Sequence, residues 1–305
     1  MGRKSAAADR AEPLCRLVRF DATDLVHLSG VLYEPPRPSG RAVIWLHGTG
    51  GSSIFTNRRT NILGRELTSR GIAFFPFDNR GSQLVRLLRK GEMGVNGGSA
   101  FEVIRDCVFD IDGAIRELRR RGYRDITLAG HSTGANKIAV YDHYKQRNLV
   151  KRYVLLAGGD DTGLLYKHLG ARRFRAALKK AREMTPHRGD EIIPKALSPM
   201  MMSWRAFRDM AEPDGDYNVF PFIEVLRGIR LGKRKAFRYV AAIKKPTLVL
   251  YGENDEYSYD DVPGCVSALA ERMGPNAELG IVGGADHGFS GKEVELATLI
   301  ADWSA

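Results

Sequence analysis

The sequence predicts an α/β fold, with a mainly parallel sheet covered by helices on both faces. Two observations predict it. Strand-like and helix-like signals alternate along the 305 residues, and the strand candidates are short apolar runs bounded by loops, as central strands are, rather than long buried helices.

In chain order, residues 14–20 and 25–33 read as a hairpin-like starting pair. Residues 42–46 (AVIWL) form a short apolar run ending in His47-Gly48, as a buried parallel strand would. Further strands are expected at 72–77, 126–129, 153–156, 247–251 and 278–282. The clearest helix covers about residues 99–121, because Phe101, Ile104, Val108, Ile111, Ile115 and Leu118 recur at spacings of three and four. Ser99 with Glu102 three residues on forms a capping box, and Arg119–Arg121 before Gly122 complement the dipole and end the helix. Other crossover helices are expected near 58–70, 135–146, 262–273 and 292–303. Residues 80–98 form a long glycine-rich connection, a kind that often carries function.

Composition bounds the class. With 43% hydrophobic and 27% charged residues the chain reads as an ordinary globule, and no apolar run approaches the ~20 residues that span a bilayer. The N-terminal MGRKSAAADR carries charge with no apolar stretch after it, unlike a secretory leader. Cys15, Cys107 and Cys265 are widely separated and form neither a metal spacing nor a disulfide framework. A cytoplasmic protein without cofactor or metal is expected. The net charge of +11 is uneven: residues 161–245 hold 19 Lys and Arg against 9 Asp and Glu, and the remainder 28 against 27. Residues 12–160 and 245–305 are read as the α/β core, and 161–244 as a helical cap inserted over the carboxyl ends of the strands. The basic segment is either a solvated helical face or a surface that draws anionic ligands. Nucleic-acid binding is not expected, since no recognised motif or regular aromatic interleaving accompanies the charge.

The chemistry concentrates in four motifs. GHSTG at 130–134 lies between an apolar strand and a helix-like segment, the setting of a nucleophile elbow, with small flanking residues that leave Ser132 exposed at the turn. A serine hydroxyl needs a base, and GGADHGF places His287 in a glycine-rich loop after the last expected strand. The orienting acid is assigned to Asp255 in YGENDEY, with Glu253 and Glu256 flanking it and with Asp160 and Asp161, one strand earlier, as the alternative. The oxyanion donors are assigned to the backbone N–H groups of Thr133 and of Thr49 in HGTGG, with Gly48 next after Thr49. His47 and His131 are read as structural hydrogen-bonders.

Together HGTGG, GHSTG, GENDEY and GADHGF are similar to the α/β-hydrolase superfamily, over about residues 12–305. RGDEIIP at 188–194 and SWRAFRDMAEPDGDY at 203–217 add a resemblance to a little-characterised family of fungal and bacterial hydrolases. Its better-known fungal members are siderophore ester hydrolases, from whose oxyanion loop HGTGG departs. The resemblance implies the α/β-hydrolase fold, a Ser132–Asp255–His287 triad and an acyl-enzyme route. The expected substrate is a small-molecule carboxylic ester, anionic if the basic segment recognises it. An acyltransferase, peptidase or C–C hydrolase would use the same triad, and a non-catalytic binding protein is the alternative of a different class. Oligomeric state is left open.

Overall fold

A computed structural model describes residues 13–50 and 58–304. The basic N-terminal stretch read above, the start of the core at residue 12 and Gly51 of HGTGG lie outside the described residues. The chain opens with β1 (Leu14–Asp21), β2 (His27–Glu34), β3 (Arg41–Leu46), α1 (Arg58–Ser69) and β4 (Ala73–Asp78). β5 (Arg86–Lys90) and β6 (Met93–Gly97) precede α2 (Cys107–Arg120), β7 (Asp125–His131), α3 (Thr133–Tyr144) and β8 (Arg152–Leu156). Three helices follow, α4 (Asp161–Arg188), α5 (Trp204–Ala211) and α6 (Phe222–Leu226). The chain then closes with β9 (Thr247–Asn254), α7 (Val262–Ala270), β10 (Ala277–Asp286) and α8 (Glu293–Trp303).

Eight strands form one sheet in the order β1-β2-β4-β3-β7-β8-β9-β10. The β1–β2 and β2–β4 pairs are antiparallel and the others parallel. β4 is buried along its whole length, and β3 and β8 at every residue after the first, which explains their uninterrupted apolar sequences. β1 lies at the edge and exposes six of its eight residues. From β3 the chain steps outward to β4, then crosses back past β3 to β7. Right-handed crossovers therefore put α1 on one face and α2 and α3 on the other, and α1 packs with α8 while α2 packs with α3. The reversal leaves a crevice beyond the carboxyl ends of β3 and β7, where ligands bind in open α/β sheets.

Two local expectations are corrected. The helix does not begin at Ser99: a 3-10 turn spans Ile104–Asp106 and α2 starts at Cys107. Glu102 makes no capping box because its carboxylate is turned inward, 2.5 Å from Nζ of Lys137. Lys137 on α3 is fully buried and also donates to Oδ1 of Asn79 at 3.3 Å. An ammonium in that interior requires a carboxylate partner far more than a helix end requires a cap. The apolar face expected further along the helix is present, with Val108, Ile111, Ile115 and Leu118 buried. The glycine-rich connection holds the β5–β6 hairpin, turned at Gly91 with φ 57°. Its exposed Leu87 and Met93 break the inward–outward alternation by which a strand is recognised in sequence.

Residues 157–246 join β8 to β9 and contain the three helices α4, α5 and α6. α4 is two helices meeting at Gly170, whose φ of 72° and ψ of 158° interrupt the ladder. α4 packs against α5, burying Phe174, Leu178, Trp204 and Phe207.

Replacing Lys137 by Met should leave Glu102 charged and unpaired in the interior, costing about 3–5 kcal/mol. Adding Glu102→Leu should recover much of that loss. Urea denaturation of the single and double variants checks the pair, and equal stabilities would show that the two residues are not coupled.

Candidate active site

β7 ends at His131 and α3 begins at Thr133, which leaves Ser132 alone in the turn at φ 57°, ψ −129°. Such a conformation is strained for a residue with a side chain and persists only where the surroundings impose it. Here the Ser132 N–H donates to the Leu156 carbonyl of β8 at 2.8 Å. A Cβ at Gly130 would collide with the Gly134 carbonyl, and one at Gly134 with the Leu46 carbonyl at the end of β3. Backbone atoms cannot swing aside, so both positions exclude side chains. The turn brings Ser132 to a cavity of about 460 Å³, lined also by Gly48, Thr49 and His287.

The loop after β3 is set by His47, which is 3% exposed and donates from Nδ1 to the Gly48 carbonyl at 2.8 Å. Burial pushes its imidazole down to about 3, so the ring is neutral. The described peptides are all trans. With the Gly48 carbonyl bound to His47, the N–H of Thr49 on the same planar unit points the opposite way. A Cβ at Gly48 would lie 2.8 Å from Cβ of Ser132, so glycine there lets the loop lie against the elbow. The Thr133 N–H belongs to the first turn of α3, where no acceptor exists within the helix. The hydroxyls of Thr49 and Thr133 hydrogen-bond each other and join the two loops.

His287 follows β10, just past a register shift between Val282 and Asp286. Its Nδ1 lies 3.0 and 3.1 Å from the two carboxylate oxygens of Asp255, which is 3% exposed. A carboxylate only accepts, so Nδ1 carries the hydrogen and Nε2 is left as the acceptor. The flanking acids hold backbone: Glu256 accepts the His287 N–H at 3.1 Å and Glu253 the Gly284 N–H at 2.7 Å. On the other side, Nε2 of His131 donates to the His287 carbonyl at 2.7 Å, and Nη1 of Arg59 to the Gly288 carbonyl at 2.5 Å. Nη2 of Arg59 also donates to Nδ1 of His131 at 3.3 Å. Burial first, and then the Arg59 charge, depress the His131 imidazole well below its usual range, which preserves the neutral ring this bonding needs. Arg59 and His131 are thus positioning groups for the histidine loop. His131 is a structural hydrogen-bonder, as its sequence setting suggests, whereas nothing local marks Arg59, whose acceptors Gly288 and His131 are 229 and 72 positions away. Ser132 and His287 line the same cavity.

The family described as serine aminopeptidase, S33, matches residues 37–291. The chain belongs to this family. Solved structures agree on the α/β-hydrolase fold at low sequence identity. Est1E of Butyrivibrio proteoclasticus, with ferulic acid bound, is similar at 15% identity and TM-score 0.61, over 94% of this chain and 97% of that one. The Pyrococcus furiosus esterase is similar at 16% identity and TM-score 0.57, over 99% and 94% respectively. The carboxylesterase CesB of Bacillus subtilis is similar at 16% identity and TM-score 0.51, over 95% and 90%. No curated protein matches the chain.

In this S33 chain the two alternative acids are separated by environment. Asp160 is 2% exposed and accepts from the N–H groups of Gly163 and Ile223, each at 2.8 Å, and from the Tyr259 hydroxyl at 2.9 Å. It therefore ties α4, α6 and the loop after β9 together and makes no bond to His287. Burial pushes its carboxyl up to about 7 against the pull of those three bonds. Asp161 is half-buried and lines the cavity. The cations expected to draw an anionic ester are elsewhere: among the described residues no Lys or Arg lines the cavity. Arg172, Arg173, Lys179, Lys180 and residues 233–235 are exposed. Among the described residues no cluster of His, Cys, Asp and Glu could hold a metal ion, and no helix is long and apolar enough to cross a membrane.

Asp160→Ala should remove three acceptor bonds and cost on the order of 3 kcal/mol. Because the raised carboxyl binds its proton more tightly folded than unfolded, its contribution is full below the ordinary carboxylate range and fades as pH rises through about 7. The melting temperature of Asp160→Asn should therefore fall less than that of the parent between pH 5 and pH 8. Parallel melting curves across that range would remove the role assigned to Asp160.

Proposed function

We propose that the chain is a serine hydrolase that cleaves carboxylic esters through an acyl-enzyme intermediate. Ser132 is the nucleophile, His287 the base and Asp255 the acid that orients it. The observation that carries this reading is the Asp255–His287 pair, bonded at 3.0 and 3.1 Å, on the cavity that Ser132 enters from a strained elbow.

As Oγ of Ser132 attacks the ester carbonyl, Nε2 of His287 takes its proton, and buried Asp255 stabilises the imidazolium. The N–H groups of Thr49 and Thr133 receive the oxyanion. The opposed geometry of the Gly48 carbonyl supports the first, and the helix start at Thr133 supports the second. Imidazolium then protonates the leaving alcohol, and a water molecule activated by His287 releases the acid and restores Ser132. The helices of 161–244 act as a cap: Leu164, Leu165, Met200 and Met210 from this segment line the cavity and give the acyl or alcohol part an apolar wall.

Similarity to proteins described as an esterase and a carboxylesterase supports ester chemistry on this fold. The resemblance of 188–217 to the family of siderophore ester hydrolases supports the same bond type. The family's description as an aminopeptidase favours amide hydrolysis as a second reading. That reaction needs the same Ser132 and His287 but a protonated amine leaving group.

A fluorophosphonate probe should label the protein and fail to label Ser132→Ala, with the melting temperature of the variant unchanged. Undiminished labelling of the variant removes Ser132 as nucleophile. Asp255→Asn should lower kcat by about 10⁴-fold, by the precedent of serine proteases. An ester and an amide of one acyl group, assayed side by side, separate the two readings.

A further inference from the structure

We propose that the cavity beside Ser132 selects esters carrying a primary ammonium group, and that Asp161 is the residue that recognises it. The inference rests on the ester-hydrolase reading above and names the substrate class for that site.

Asp161 is the only carboxylate lining the cavity among the described residues, and no Lys or Arg shares the lining. Its satisfaction is incomplete. Oδ2 accepts from the Thr133 hydroxyl at 3.5 Å and from the Asn136 amide at 3.4 Å, both long and both from neutral donors. Asp160, one residue earlier, accepts three bonds at 2.8–2.9 Å, so the shortage is particular to Asp161. The surrounding wall is apolar, with Leu164, Leu165, Met200 and Met210 facing the same space. A carboxylate held against such a wall loses hydration that two weak bonds do not replace. A ligand ammonium would replace it, through an attraction strengthened by the low local dielectric. A ligand carboxylate would meet an uncompensated like charge instead, which gives the site discrimination as well as affinity.

The imidazoles nearby do not reverse this sign. His131 is neutral, with Nδ1 accepting from Arg59. His287 is turned to Asp255. His168 also lines the cavity, but its side chain is exposed, so water screens it from Asp161. Burial pushes the Asp161 carboxyl up to about 6, while His287, the Thr133 hydroxyl and Lys137 draw it down and Glu102 adds to the rise. The group is therefore ionised at pH 8 and largely neutral at pH 5. The bland alternative is that Asp161 only favours the N-terminal turn of α4, whose dipole attracts an acid. That role would alter stability and leave charge selectivity untouched.

The ammonium could belong to either half of the ester, and two series distinguish them. For the acyl side, methyl esters of β-alanine, butanoic acid and succinic acid (monoester) give cationic, neutral and anionic members. For the alcohol side, the acetates of 4-(aminomethyl)phenol, 4-ethylphenol and 4-hydroxyphenylacetic acid do the same. At pH 8, kcat/KM should run cationic over neutral over anionic in one series, with roughly tenfold between the first two, equivalent to 1.4 kcal/mol. In Asp161→Asn the cationic-to-neutral ratio should collapse towards one. No cationic preference in either series, or a preference that survives in Asp161→Asn, overturns the assignment. Should that variant fail to fold, the parent decides: its ratio must fall between pH 8 and pH 5, and a constant ratio overturns the proposal. Taking the ratio cancels every effect of pH that the two esters share. Ser132-dependent turnover of the neutral esters without cationic preference sinks this inference alone, whereas loss of all ester turnover sinks the ester reading with it.

Discussion

Ser132 stands at φ 57°, ψ −129° between a strand and a helix, and the close approach of three backbone segments keeps it there. Gly130 meets the Gly134 carbonyl, Gly134 meets the Leu46 carbonyl, and Gly48 meets the Ser132 side chain. These contacts weld the end of β3 to the end of β7, so the elbow and the loop that faces it are one packed unit. The sheet order makes this possible, since β3 and β7 are parallel neighbours across the point where the chain reverses direction. Beneath the elbow the helix α3 carries Lys137, and its buried pairing with Glu102 draws the segment before α2 against the same unit. Strain at one residue is thus sustained by packing spread over the strands β3, β7 and β8, the helix α3 and the segment that precedes α2.

The histidine loop meets a different requirement. It follows an irregular strand end and has little apolar content of its own, so polar contacts must fix it. Asp255 holds the ring, while Glu253, Glu256, His131 and Arg59 hold backbone groups of residues 284–288. Dividing the work in this way lets the ring keep one tautomer without loading every constraint on a single carboxylate. It also explains the acid-rich YGENDEY motif, in which adjacent acids serve unlike partners.

Local chemistry was legible in the sequence wherever it is written in adjacent residues. The strands appear because burial on both faces demands unbroken apolar runs, and the elbow appears because only small residues fit around Ser132. The start of α2 was not legible. Ser99 and Glu102 satisfy the capping pattern, but Glu102 answers to Lys137, 35 positions later, and no local rule contains that pairing. The same holds for Arg59, which reaches across the fold to Gly288. The β5–β6 hairpin was not legible because it buries Leu88 in the core and packs Val95 against it, while Leu87 and Met93 stand exposed and hide the alternation.

Charge is the sharpest case of this difference between sequence and space. Residues 161–245 hold 19 Lys and Arg against 9 Asp and Glu, which invites an anionic substrate. A helix, however, has two sides. The long cationic side chains of α4 extend into water, where screening confines their field to about a Debye length. Among the described residues that the same segment sends to the cavity are Leu164, Leu165, His168, Met200, Met210 and Asp161, and none is a Lys or Arg. A half-buried carboxylate inside the cleft outweighs many solvated cations outside it, because the interaction grows as the dielectric falls. Net charge along the chain therefore describes the surface a partner meets first, and the groups that line the cleft must be counted separately from it.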